Sequence, residues 1–136
     1  MMEEAAMTGT PWTFDRLTPG QCFGPVTIPL DETRQAGWRA IYGAPEGETA
    51  PDGLIVAGMM EAFIRAIQPR PRGNVHAGQT LALTGATVRL GEDVTYHVSV
   101  AARDQKRGRN WITCSVRAEA GGRALLRGDI TTIWAA

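Results

Sequence analysis

Hydrophobic positions are densest between Gly53 and Gln68. There Leu54, Ile55, Val56, Ala57, Met59, Met60, Ala62, Phe63, Ile64, Ala66 and Ile67 leave only Glu61, Arg65 and Gln68 polar. Those three stand at i, i+4 and i+7, so the pattern predicts a helix that is apolar nearly all round, with one thin polar stripe. Pro69 and Pro71 end it. A helix of this kind must be covered on most sides, and within one small domain a curved sheet is the element able to cover it.

The C-terminal half supplies strand patterns. Gln79 to Leu90, Val94 to Arg103, Asn110 to Glu119 and Ala124 to Trp134 are separated by turn signals at Gly91-Glu92-Asp93, Lys106-Arg107-Gly108 and Gly121-Gly122. Val94, Tyr96, Val98 and Val100 alternate with Thr95, His97, Ser99 and Ala101, and Ile112, Cys114, Val116 and Ala118 alternate with Trp111, Thr113, Ser115 and Arg117. Each set places an apolar face toward the helix. Upstream, residues 1 to 13 have no period and read as a flexible tail, with Trp12 and Phe14 the first to pack, order beginning near Phe14 and a turn at Leu17 to Gln21. Cys22 to Leu30 reads as a strand interrupted by Gly24-Pro25. Asp31 is placed to cap a short helix, Glu32 to Tyr42, with Trp38, Ile41 and Tyr42 on one face and Gly43 as its stop. The expectation is an α+β domain over residues 14–136: an antiparallel curved sheet of about five strands wrapped round one long central helix.

Composition narrows the function classes. The formal net charge is zero, which argues against a basic nucleic-acid binder. The balance is uneven along the chain, −6 from Met1 to Glu61 and +6 from Ala62 to Ala136, so the two halves are expected to face different things. The longest apolar run, Gly53 to Met60, is well short of the roughly 20 residues a membrane span needs. An acidic start, Met1-Met2-Glu3-Glu4, is unlike a secretory signal, so a cytoplasmic protein with no membrane partner is expected. Cys22 and Cys114 read as two free thiols, with no metal-ligand spacing.

The order of elements and two segments resemble the hotdog fold and, within it, the MaoC-like acyl-thioester hydratases. The segments are Pro51-Asp52-Gly53-Leu54-Ile55-Val56-Ala57-Gly58-Met59-Met60, similar to that family's helix entry, and Val75-His76-Ala77-Gly78-Gln79-Thr80-Leu81, similar to its strand entry. The resemblance spans about residues 14 to 134. It implies a homodimer or dimer of dimers acting on acyl groups carried by coenzyme A or acyl carrier protein, in fatty-acid-type metabolism, with no separate cofactor. It also implies loops of one subunit near the sheet or helix of the other, hence acidic-to-basic complementarity near that seam. Hydration of an enoyl thioester needs a base, a proton donor and hydrogen-bond donors on the thioester oxygen. The first N–H groups of the central helix, at Gly53 and Leu54, fit the last requirement. The family's Gly-Asp-x-Asn-Pro-x-His motif is degenerate here: the matching stretch is Gly43-Ala44-Pro45-Glu46-Gly47-Glu48-Thr49, with Ala44 and Thr49 at the acid and histidine positions.

Four carboxylates are left as catalytic candidates. Asp52 is either a base at the helix mouth or the helix N-cap. Glu46 and Glu48 are either catalytic or solvated loop acids. Glu61 resembles the acid some hotdog thioesterases carry on this helix, or pairs with Arg65 one turn on. Tyr42 is a candidate donor to a bound acyl group or a packing residue. Arg70 and Arg72 at the helix exit, with Arg107 and Arg109 in the Arg103-to-Arg109 hairpin, could hold coenzyme A phosphates or form a solvated charge run. His97 falls on the polar face of the sheet and His76 at an exposed strand entry, while Trp111 and Trp134 suit the core or a dimer seam. A hydratase or dehydratase, a thioesterase and a non-catalytic acyl-binding or partner subunit all remain open.

Overall fold

The computed structural model describes residues 9–136. The elements are β1 (Cys22–Pro29), α1 (Glu32–Tyr42), α2 (Asp52–Ala66), β2 (Val75–Leu83), β3 (Asp93–Lys106), β4 (Arg109–Ala120) and β5 (Arg123–Trp134); α2 lies against one antiparallel sheet, and α1, with no buried residue, meets α2. The strand order is β1-β3-β4-β5-β2. Residues 1–8 of the expected tail lie outside the described residues. At its inner end Trp12 is already fixed: its N–H donates to Pro69 O at 2.8 Å, its carbonyl accepts from Trp134 Nε1 at 2.6 Å, and its ring meets Phe23 edge-on.

The alternations in β3 and β4 translate directly into burial. Val94, Tyr96, Val98 and Val100, with Ile112, Cys114, Val116 and Ala118, form the floor on which Leu54, Ile55, Met59, Ala62 and Phe63 of α2 pack. The helix is less enclosed than its pattern suggests. It is 15 residues long, close to an ordinary globular helix, and it contacts β1, β3 and β4 from one side only. Ile64 on its outer side stays 46% exposed. Close approach to the sheet depends on two special residues. Tyr96, fully buried, donates its hydroxyl to Ile55 O at 2.7 Å, and Gly58 sits where a Cβ would lie 2.2 Å from that hydroxyl oxygen. Desolvation holds the Tyr96 phenol well above its ordinary pKa, so it remains a donor.

β2 begins four residues earlier than its pattern indicates and ends at Leu83; the remainder of the expected strand is a loop whose Arg89 forms an isolated bridge with Thr49. The two sheet edges differ in kind. β1 carries Pro25, Pro29 and a register shift between Phe23 and Val26, all of which block further pairing. β2 has no proline and leaves Val75, Leu81 and Leu83 exposed at 51%, 40% and 43%.

Candidate functional site

The mouth of the site is the N-terminus of α2. Pro51, not Asp52, is the N-cap; Asp52 is the first helical residue, its side chain is exposed, and it makes no cap hydrogen bond. The capping reading of Asp52 is therefore corrected. Proline fits here because its fixed φ suits the helix start and it has no N–H to leave unpaired. Of the two expected carbonyl donors, Leu54 N–H is already given to Pro51 O at 3.0 Å. Gly53 N–H has no backbone partner among the described residues and points out of the first turn with the helix dipole behind it.

Aromatic rings cover this mouth. A Cβ at Gly53 would lie 2.5 Å from Trp38 Cη2, so glycine is required there to seat the indole. Trp38 in turn stacks on Tyr42 at 4.3 Å between ring centroids, and Tyr42 remains 68% exposed. The Trp38–Tyr42 pair thus forms a partly open wall beside Gly53. Sequence reasoning placed Trp38 on the packed face of α1 but missed this role; the signal available was the Trp38-to-Tyr42 spacing of one turn.

The loop joining α1 to α2 is anchored to the segment before β3. Ala50 N–H donates to Val88 O and Leu90 N–H to Glu48 O, each at 2.8 Å. Glu48 is ion-paired with Arg89 at the surface, and Glu46 is exposed. Glu61 lies elsewhere, nine residues along α2 and so about 13 Å up the helix from Asp52. Both its oxygens are occupied: Arg34 Nη1 and Nη2 donate at 2.9 and 3.1 Å in a bidentate pair, and Arg65 Nη1 donates at 3.1 Å. The Arg34 hydrogen bonds hold the Glu61 carboxyl below its usual range, so it stays ionised. The Arg65 pairing was legible in the sequence; the stronger Arg34 partner, 27 residues upstream, was not.

The arginines divide in the same way. Arg70 and Arg72 follow the C-terminus of α2, a helix length of about 22 Å from the mouth, and Arg107 and Arg109 sit at the β3–β4 hairpin, whose outer end meets Trp134 through the Asn110 pairing, under the Arg70 guanidinium. Arg72, Arg107 and Arg109 are exposed, while Arg70 is half-buried and donates to Ile67 O and Phe63 O at 3.2 and 3.1 Å. Within one protomer, then, Asp52, Gly53, Tyr42, Glu46 and Glu48 share one end of α2, Glu61 marks its middle, and the arginines lie at the other end. On the opposite face of the sheet a cavity of about 390 Å³, lined by His97, Ser99, Ser115, Arg117 and Arg127 among others, contains none of the predicted site residues.

No family model and no curated protein matches the sequence. Solved structures do match. The unliganded R-hydratase PhaJ1 from Pseudomonas aeruginosa superposes with a TM-score of 0.73 at 20% identity, over 90% of this chain and 84% of that one. A hot-dog-like protein from Thermanaerovibrio acidaminovorans gives 0.66 at 15% identity, over 88% and 84% of the two chains. The chain has the hotdog fold. The fluoroacetyl-CoA thioesterase FlK is a further hotdog neighbour, with a TM-score of 0.65 at 21% identity over 86% of this chain and 87% of that one. The hotdog scaffold accounts for the element order from β1 to β5. Among the described residues no helix is long and apolar enough to cross a membrane.

Proposed function

We propose that this chain is a MaoC-like hotdog protein that binds an acyl thioester, with the thioester oxygen at the Gly53 N–H and the acyl or carrier arm along α2 beside Trp38 and Tyr42. The observation that carries this reading is the unused Gly53 N–H at a helix start, roofed by aromatic rings, on a fold whose solved neighbours include an R-hydratase and a fluoroacetyl-CoA thioesterase. Hydratase chemistry is not supported by the groups present. Ala44 and Thr49 supply neither base nor proton donor, and neither His76 nor His97 lies in the mouth loop. Hydration of a crotonyl-type coenzyme A thioester, followed at the enone absorbance, is expected at background; sustained turnover would refute this reading of the loop.

A second reading is favoured by one specific observation. Asp52 is exposed beside Gly53 without an ion pair among the described residues, whereas Glu61 has both oxygens engaged. If the protein is a thioesterase, Asp52 is the base for the attacking water and Glu61 a structural residue. Thiol release from a panel of acyl thioesters then falls in Asp52→Asn and survives in Glu61→Gln. Absence of thiol release with retained acyl-thioester binding would instead assign a non-catalytic acyl-binding role.

The same proposal includes a homodimer. An edge strand with exposed apolar side chains and no proline is a template for pairing, and β2 is that edge, whereas β1 is blunted. Part of the opposite charge in the two halves is already spent inside the protomer, in the Glu48–Arg89 and Glu61–Arg65 pairs.

A further inference from the structure

A second pocket lies at the other end of α2, between its last turns and the start of β2. Its volume is about 160 Å³, and it is lined by Met60, Phe63 and Ile64 on one side and by Arg70, Asn74, His76 and Thr132 on the other. Three of its polar groups are incompletely served. Thr132, 3% exposed, has a buried hydroxyl with no hydrogen-bond partner among the described residues. Asn74 receives Ala135 N–H on Oδ1 at 2.8 Å, yet its buried Nδ2 has no acceptor. The third is Arg70, whose Nε and Nη2 hold the last carbonyls of α2 and whose guanidinium lies over the Phe63 and Trp134 rings at 4.8 and 5.2 Å. Its Nη1 has no partner, and no carboxylate pairs with it among the described residues.

Buried donors without acceptors and a half-buried cation without an anion are each costly. Asn74 Nδ2 and Arg70 can only donate, and Thr132 can donate, so the missing partner is an acceptor. It must also carry negative charge to compensate Arg70. A single charge is sufficient, which favours a carboxylate over a dianionic phosphate. The space is equivalent to about five water molecules in the liquid, and the Met60–Phe63–Ile64 wall suits a short apolar tail.

We propose that this pocket is a carboxylate-binding site, with Arg70 as the charged anchor, Thr132 Oγ1 and Asn74 Nδ2 as neutral donors, and the α2 wall receiving the first carbons behind the carboxylate. The carboxylate is that of a free short-chain acid, because even Met60, the nearest helix residue of the pocket, lies about 10 Å along α2 from Gly53, beyond the reach of a short acyl chain held there. The inference stands without the thioester reading, because it is tested with no thioester present.

Calorimetric titration of the full chain with butyrate and with butyramide provides the test. Butyrate binds, and butyramide binds about tenfold more weakly or worse. Thr132→Val weakens butyrate by about tenfold without lowering Tm, because it removes a buried hydroxyl that has no partner. Arg70→Gln abolishes butyrate binding, and should it fail to fold, Thr132→Val still decides. Equal binding of butyrate and butyramide, no butyrate binding, or undiminished binding by Thr132→Val overturns the proposal.

Discussion

Replacing Gly58 by alanine sets two effects of opposite sign against each other. Helix propensity favours alanine over an interior glycine by about 1 kcal/mol. Against this, the new Cβ would lie 2.2 Å from Tyr96 Oη and 2.8 Å from Cζ, and Tyr96 is fully buried and cannot swing aside. Forcing α2 away from the sheet costs about 1–3 kcal/mol as overpacking. Loss of the 2.7 Å hydrogen bond to Ile55 O adds about 1 kcal/mol. The expected net is a destabilisation of about 1–3 kcal/mol, read as a fall in Tm of roughly 4–12 °C. Urea unfolding at one fixed protein concentration measures it, since association would shift the midpoint. Tyr96→Phe alone is expected to cost about 1 kcal/mol. The double variant Gly58→Ala with Tyr96→Phe is expected to be less destabilised than the sum of the two singles, by at least about 1 kcal/mol, because the closest clashing atom is gone. An alanine variant as stable as the parent, or strict additivity, would refute the idea that this contact sets the height of α2.

Three other outcomes follow from single features. Glu61→Gln should cost no more than about 1 kcal/mol near neutral pH, since its partners are partly solvated. Because folding lowers the Glu61 pKa, its contribution is present above the unfolded value near 4.5 and is lost as pH falls through the folded value, so the gap between parent and variant should close in acid and persist at pH 7. Leu81→Lys, which places a charge on the open β2 edge, should convert a dimer to monomer in sedimentation analysis while leaving the secondary structure intact; an unchanged sedimentation coefficient argues against pairing through β2. Burial pushes the Cys114 thiol up to about 12, so the native protein should react with a thiol reagent through Cys22 alone, and both cysteines should react only after unfolding.

What could be read from the sequence depended on whether a segment has two unlike faces. β3 and β4 alternate cleanly because one face meets α2, so their inward residues were identified one by one. β2 has almost no buried position, so it carries no alternation and its limits were misplaced toward the loop after it. The start of α2 at Asp52 was legible, but its cap is Pro51, because a proline satisfies the start by conformation rather than by a side-chain hydrogen bond. Glu61 stood out as an acid in an apolar helix, yet its main partner is Arg34 on the other helix, a contact no local spacing encodes. Gly58, a glycine inside a helix pattern, was the one available sign of the Tyr96 contact.

The connection from α1 to α2 has a further meaning for how such a protein can change. From Ile41 to Thr49 no residue is buried, and the chain is held at its far end by the Thr49–Arg89 bridge and the Ala50–Val88 hydrogen bond. Apart from Tyr42 beside the mouth and the positive-φ glycines Gly43 and Gly47, side chains along that stretch can therefore be exchanged with little effect on the core, since surface substitutions away from special features shift stability by about 0.5 kcal/mol or less. Chemistry placed there is separable from folding. A lineage can lose an acid and a histidine from this segment, or acquire them, and keep the same scaffold, mouth and helix throughout.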